Sequence, residues 1–189
     1  MIKLSNILKE IQPKVKPEIG VGNWQTVYNS AVNPNYVIKR YNAGKDLYDP
    51  KQWDKIYKVA QQHPDLFAKF VKVNLEKGYA VQKKLDEKAL TQDCKEVQKY
   101  LLTNNIDPDY SKEKSDIIEF FYENPNKLSI LNNTPWKNTL KPKLEKLYYN
   151  IAQAKSGPDK EYLKYLRDVR MTNVGYDKNQ NIKILDFLI

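Results

Sequence analysis

Apolar residues recur at helical spacing through much of the second half of the chain. Between Lys137 and Ala154, Leu140, Leu144, Leu147, Tyr148 and Ile151 fall on one face of a helix, a stripe built for burial against a core. The same periodicity predicts helices over about Glu87 to Thr103, Ser115 to Tyr122 and Asp159 to Tyr165. Two more are expected earlier. Asp49 to Gln62 carries Trp53, Ile56, Tyr57 and Ala60 on one side, and Met1 to Ile11 carries Ile2, Leu4, Ile7, Leu8 and Ile11 before Pro13 and Pro17 break it. The first half otherwise reads as strands. Tyr36 to Tyr41 is one, and Phe67 to Asn74 with Tyr79 to Leu85 form a hairpin around Glu76-Lys77-Gly78. A last short strand, Ile182 to Leu185, follows the polar turn Tyr176 to Asn181. Asp107-Pro108-Asp109 and Glu123-Asn124-Pro125-Asn126 read as loops, and no internal repeat or flexible linker is evident.

A chain of 189 residues can bury a real core as a single domain, with or without two lobes. Its net charge of +9 is almost all lysine, since only Arg40, Arg167 and Arg170 are arginines. Lysine spread this way is a solvated surface, and a nucleic-acid reader would use more arginine for bidentate contacts. Nucleic acid is therefore disfavoured as a partner, while a weak attraction for nucleotide phosphates remains. One cysteine, Cys94, excludes an internal disulfide and fits a reducing compartment. No apolar run approaches the ~20 residues of a membrane helix, and the N-terminus lacks a signal-peptide pattern. The expected location is the cytoplasm, with no membrane partner.

Two stretches carry candidate chemistry. The first is Gly20-Val21-Gly22-Asn23-Trp24-Gln25, a tight glycine turn between strands, followed by Lys39 in the strand Val37-Ile38-Lys39. Glycine lets backbone N–H groups approach an anion closely, and a lysine on the inward face of a strand is costly to bury without one. The second is Leu166 to Ile189. There Asp168, Asn173 and Asp186 are expected to converge at one end of a hairpin as hard oxygen ligands that suit Mg2+, with a carboxylate placed to receive a hydroxyl proton. Each stretch has a plainer reading, because Asp, Asn and Gly are also ordinary turn residues.

In order, Gly20-x-Gly22-x-x-Gln25-x-Val27, Val37-Ile38-Lys39, Asp168-x-x-x-x-Asn173 and Asp186-Phe187 resemble the protein-kinase signature set. The likeness spans both ends of the chain and matches the middle only in outline. It implies an α+β, protein-kinase-like fold: about 12–86 as an N-lobe with an antiparallel sheet and one helix, and about 87–189 as a mainly helical C-lobe. It also implies ATP and Mg2+ as cofactors. Gly20, Val21, Gly22, Asn23 and Gln25 would cover the phosphates that Lys39 binds. Asp54 would stand near the family's lysine-pairing glutamate, and the backbone from Lys83 to Leu85 would contact adenine. Asp168 would be the catalytic base, Arg170 would sit near the γ-phosphate, and Asn173 and Asp186 would hold the metal. Gln62-His63-Pro64-Asp65-Leu66 is similar to the turn after the family's regulatory helix.

The pattern departs from the family in several places. Asp54 is one methylene shorter than glutamate, Leu166 replaces the loop histidine, Gln25 the third glycine and Leu188 the glycine of D-F-G. The chain ends two residues after Phe187, so the expectation is a truncated, minimal kinase-like protein of a type that looks like viral or phage products, placed in host cytoplasm or virion. The function implied is phosphoryl transfer to a hydroxyl acceptor, protein or small molecule. The competing reading is a catalytically inactive kinase-like protein that binds nucleotide or serves a larger assembly.

Overall fold

A computed structural model describes residues 18–21, 25–41, 50–107, 110, 116–163, 166 and 169–185. The helix expected over 1–11 lies outside these residues. The described chain is α+β and divides into two compact units, one comprising 1–64 and 68–84, the other 65–67 and 85–189.

The first unit is built on a five-stranded antiparallel sheet in the order β1-β2-β3-β5-β4. Its strands are β1 (Glu18–Val21), β2 (Gln25–Asn29), β3 (Tyr36–Tyr41), β4 (Phe70–Asn74) and β5 (Tyr79–Lys83). The β1–β2 pairing sets Gly20 opposite Val27, with an irregularity between Glu18 and Gly20. Between β2 and β3 the turn is held by side chains: Asn33 N–H donates to Ser30 Oγ at 3.0 Å, and Asn35 N–H to Asn33 Oδ1 at 3.0 Å. These are the local bonds that make Ser and Asn turn residues. The β4–β5 turn needs Gly78, whose φ of 64° lies in the left-handed region. Among the described residues of this unit, Pro50–Gln62 forms a helix, α1. It buries Tyr57, Val59 and Ala60, and the Tyr57 ring meets the Phe70 ring edge-on at 4.6 Å between centroids.

The expected strand from Phe67 begins later than the sequence suggested. The β4 ladder starts at Phe70, and Phe67 instead forms an isolated parallel bridge to Ile184 in the second unit's hairpin. Leu66 O accepts the Ile184 N–H there at 2.9 Å. Leu66 and Phe67 are fully buried, and their apolar run is spent on the second core.

Helices dominate the second unit: α2 (Glu87–Thr103), α3 (Ile117–Glu123), α4 (Leu140–Ser156) and α5 (Lys160–Leu163). Asp86 caps α2 by accepting from Ala89 N–H at 3.0 Å, and Leu90, Cys94, Val97 and Leu101 form its buried stripe. On α4 the stripe Leu140, Leu144, Leu147, Tyr148 and Ile151 is buried, extended by Ala154. Between α3 and α4, Pro125–Asn133 and Pro135–Asn138 are 3-10 helices, so the helix expected from Lys137 begins at Leu140 instead. A 3-10 turn, Met171–Asn173, then leads into the antiparallel pair β6 (Val174–Tyr176) and β7 (Ile182–Ile184). The turn of that hairpin is closed by Asp177, whose Oδ1 accepts from Asn179 and Asn181 N–H at 2.8 and 2.9 Å.

Among the described residues, no helix is long and apolar enough to cross a membrane.

Candidate functional site

Lys39 stands in the middle of the first unit's sheet. It is paired across to Val27 on β2 and Ala80 on β5, and is only 4% exposed. Val37 and Ile38 beside it are buried as well, so β3 is covered on both faces and the lysine is not set apart by the face it occupies. Its ammonium lies over the Phe70 ring, 6.0 Å from the centroid. The neighbouring strand β2 is the one that follows the glycine-bearing stretch Gly20-Val21-Gly22 in the sequence. Gly20 and Val21 close β1 and Gln25 opens β2, while Gly22 and Asn23 lie outside the described residues.

The other first-unit candidates are engaged within the protein. Asp54 forms an ion pair with Lys58 one helical turn on, at 2.6 Å, with both side chains well exposed. A pair of this kind adds only a few tenths of a kcal/mol or so to a helix. Lys83 N–H donates to Lys69 O and Lys84 N–H to Asn35 O, each at 2.9 Å, so two amide donors of the expected adenine segment are spent in the sheet. Leu85, the third residue of that segment, is buried and belongs to the second unit. His63 closes α1, its N–H donating to Val59 O at 3.1 Å.

In the second unit, Asn173 ends the 3-10 turn. Its N–H donates to Arg170 O at 2.9 Å, and its carbonyl accepts the Leu185 N–H at 2.7 Å. The turn and the end of β7 are therefore tied together at the open end of the hairpin. Asp168 and Asp186 lie outside the described residues. Among the described residues there is no group of three or more His, Cys, Asp or Glu that could hold a metal ion. Arg170 is held by Glu119, its Nε donating to Oε1 at 3.1 Å.

Four residues around this segment were not singled out from the sequence. Asp116 caps α3 and also accepts the Met171 N–H. Glu119 holds Arg170. Tyr122 and Lys155 both donate to Leu166 O, at 3.0 and 2.9 Å. Asp116-x-x-Glu119 before an apolar run is a capping-box spacing, and that signal was legible. The reach of those side chains to residues 166–171 was not.

Burial governs the titration of the groups nearby. The Cys94 thiol is pushed far up, first by burial and then by the Asp116 and Asp93 carboxylates, so it is an inert core side chain. Tyr176 is also pushed up, first by burial and then by its bond to Asp93, where its hydroxyl donates to Oδ2 at 2.7 Å. A cleft of about 210 Å3 opens beside α4, lined in part by Asp65, Lys143, Lys146, Asn150 and Asn181. None of the residues chosen from the sequence lines it.

No family model matches the chain, and no curated protein matches it. Several solved structures match the chain in outline. One is an aminoglycoside phosphotransferase from Alicyclobacillus acidocaldarius subsp. acidocaldarius DSM 446, at 13% identity and a TM-score of 0.36. The match covers 99% of this chain and 66% of that one. At that identity and score the likeness assigns neither fold nor activity.

Proposed function

We propose that this chain binds ATP with Mg2+ and transfers a phosphoryl group to a hydroxyl acceptor, as the kinase-like motif order implies. The observation that carries the reading is Lys39. A buried lysine on the central strand of an antiparallel sheet, beside the strand that follows Gly20-Val21-Gly22 in the sequence, suits a phosphate-binding lysine. Bound ATP would supply the phosphoryl group and Mg2+ would neutralise its developing charge. In this reading Lys39 binds the α/β-phosphates under the Gly20–Gln25 turn. Asp168 takes the acceptor's proton, and Asn173 and Asp186 hold the metal. Because positioning and charge neutralisation supply most of the catalysis, no further chemical group is required of the protein.

Thermal unfolding with and without Mg-ATP tests this directly. At about 100 times the dissociation constant, ligand stabilises the native state by roughly 2.7 kcal/mol. For a domain near this size that is a shift of roughly 5 to 10 °C, from about 2–4 °C per kcal/mol. The shift is expected in the wild type, to depend on Mg2+, and to be lost in Lys39→Met and in Asp186→Ala. No shift at millimolar nucleotide would remove the nucleotide site.

A second reading keeps binding without turnover. What favours it is the pairing of Arg170 with Glu119, which directs that guanidinium to a neighbouring helix. The readings part at Asp168→Asn: an enzyme loses turnover, whereas a binding or assembly protein keeps its function.

A further inference from the structure

The segment from Leu166 to Asn173 is gripped from several sides by helices α3 and α4. Leu166 and Val169 are 1% and 0% exposed, so apolar anchors flank Asp168 in the sequence. The Leu166 carbonyl accepts from both Tyr122 and Lys155, and the Lys155 ammonium also donates to the Tyr122 hydroxyl at 2.7 Å. Further along, the grip passes to Asp116 and Glu119. Asp116 Oδ1 accepts the Ile118 and Glu119 N–H groups at 3.0 and 3.1 Å, which caps α3. Its other oxygen, Oδ2, accepts the Met171 N–H at 2.8 Å, from a residue 55 positions away in sequence. A single carboxylate thus serves the helix with one oxygen and the Met171–Asn173 turn with the other.

We propose that Asp116 is a positioning residue for the Met171–Asn173 turn, fixing through its second oxygen the backbone that presents Asn173. The proposal rests on the phosphoryl-transfer reading for the role of Asn173, but the hook itself is a matter of geometry. Met171 opens the turn, and the turn's other end is already tied, Asn173 to Arg170 and to Leu185. Releasing Met171 frees the end nearer Asp168 in sequence while leaving the hairpin end in place. A charged acceptor on a backbone amide is among the stronger hydrogen bonds, which suits a residue that must hold one turn in one register.

The two oxygens can be separated by mutation. Asp116→Asn keeps one acceptor and puts an amide N–H2 in place of the other. Asparagine is as good a helix cap as aspartate, so its oxygen stays with the two amides of α3 and the hook to Met171 is lost. Asp116→Ser also caps but cannot reach both partners, and serves as the second variant should the first fail to fold.

The test is carried out on the full chain with two readouts: amide hydrogen exchange at Met171, and Mg-ATP turnover with kcat and KM resolved. In both variants Met171 is expected to lose its exchange protection while the melting temperature stays within a few degrees of wild type. Turnover is expected to fall about 100-fold in kcat, the scale of a small misplacement of reacting groups, with KM for ATP nearly unchanged. Unchanged exchange at Met171, or loosened exchange with unchanged kcat, overturns the proposal. A wild-type chain with no turnover at all sinks the phosphoryl-transfer reading instead. In that event the exchange at Met171 still decides the hook, with protection lost in the variants supporting it and protection kept overturning it.

Discussion

At the scale of single residues, burial and charge are in tension at Lys183. It is the middle residue of β7, only 7% exposed, and the Asp65 carboxylate lies 3.9 Å from its ammonium. Burial pushes its pKa below the ordinary 10.5, with Asp65 and Asp177 working against that shift and Lys146 adding to it. Asp65 is 84% exposed at the side chain, so water screens much of its attraction. The sign follows from proton counting. Between the lowered folded value and 10.5 the unfolded chain holds a proton at Lys183 that the folded chain does not. This residue's own contribution to stability therefore rises with pH through that window, against the opposite contribution of the raised Cys94 and Tyr176. Lys183→Met is expected to remove this contribution, so that stability changes less favourably from pH 7 to pH 10 than in the wild type, and to leave stability at pH 7 unchanged or about 1 kcal/mol higher. Urea unfolding of both proteins at pH 7 and pH 10 measures it; a clear loss of stability at pH 7 would show the ammonium to be well paired. Nothing in the sequence marked Lys183, because an alternating strand assigns a face but not the depth of its cover.

Two elements meet closely where β6 runs against the start of α2. A Cβ added to Gly175 would stand 2.7 Å from Leu85 Cβ and 3.3 Å from the Glu87 backbone nitrogen. Asp86 and Tyr176 are bridged here by two backbone hydrogen bonds, at 2.9 and 3.2 Å, which hold the strand against the helix cap. Gly175→Ala should therefore cost about 1–3 kcal/mol, the range for overpacking a close-packed contact. A lowered urea midpoint with unchanged slope would record it, and an unchanged midpoint would mean that the strand can move aside. Helices and strands themselves were well marked in the sequence. The Glu87–Thr103 helix, the α4 stripe and the β4–β5 turn at Gly78 follow from spacing, capping and turn chemistry, which act between near neighbours. The run Pro125–Asn138 was not, since its 3-10 turns lack a 3.6-residue period and are punctuated by Pro125 and Pro135.

On the scale of the whole molecule, the net charge of +9 is the feature most open to a different use. Lysine pairs in the second unit are directed at neutral turn amides, Lys143 to Gln180 and Lys146 to Asn181, rather than gathered into an arginine-rich reading surface. Binding to duplex DNA is accordingly expected to be weak and lost by about 0.2 M salt, as for purely electrostatic contacts. Fluorescence anisotropy across a salt series checks this, and tight binding that survives at 0.2 M would reopen nucleic acid as a partner.

The sequence by itself determined the α+β character and the order of most elements, and it nominated Lys39, Asp168, Asn173 and Asp186 as candidates. Periodicity, glycine turns and motif spacing are local, and a chain reports local physics openly. Tertiary structure alone decided that Leu66 and Phe67 join the second unit's hairpin, and that Asp54 and Arg170 turn to Lys58 and Glu119. It alone placed Asp116 against Met171. A hydrogen bond across 55 residues depends on how α3 packs beside the Met171–Asn173 turn, and no pattern within either segment encodes that distance.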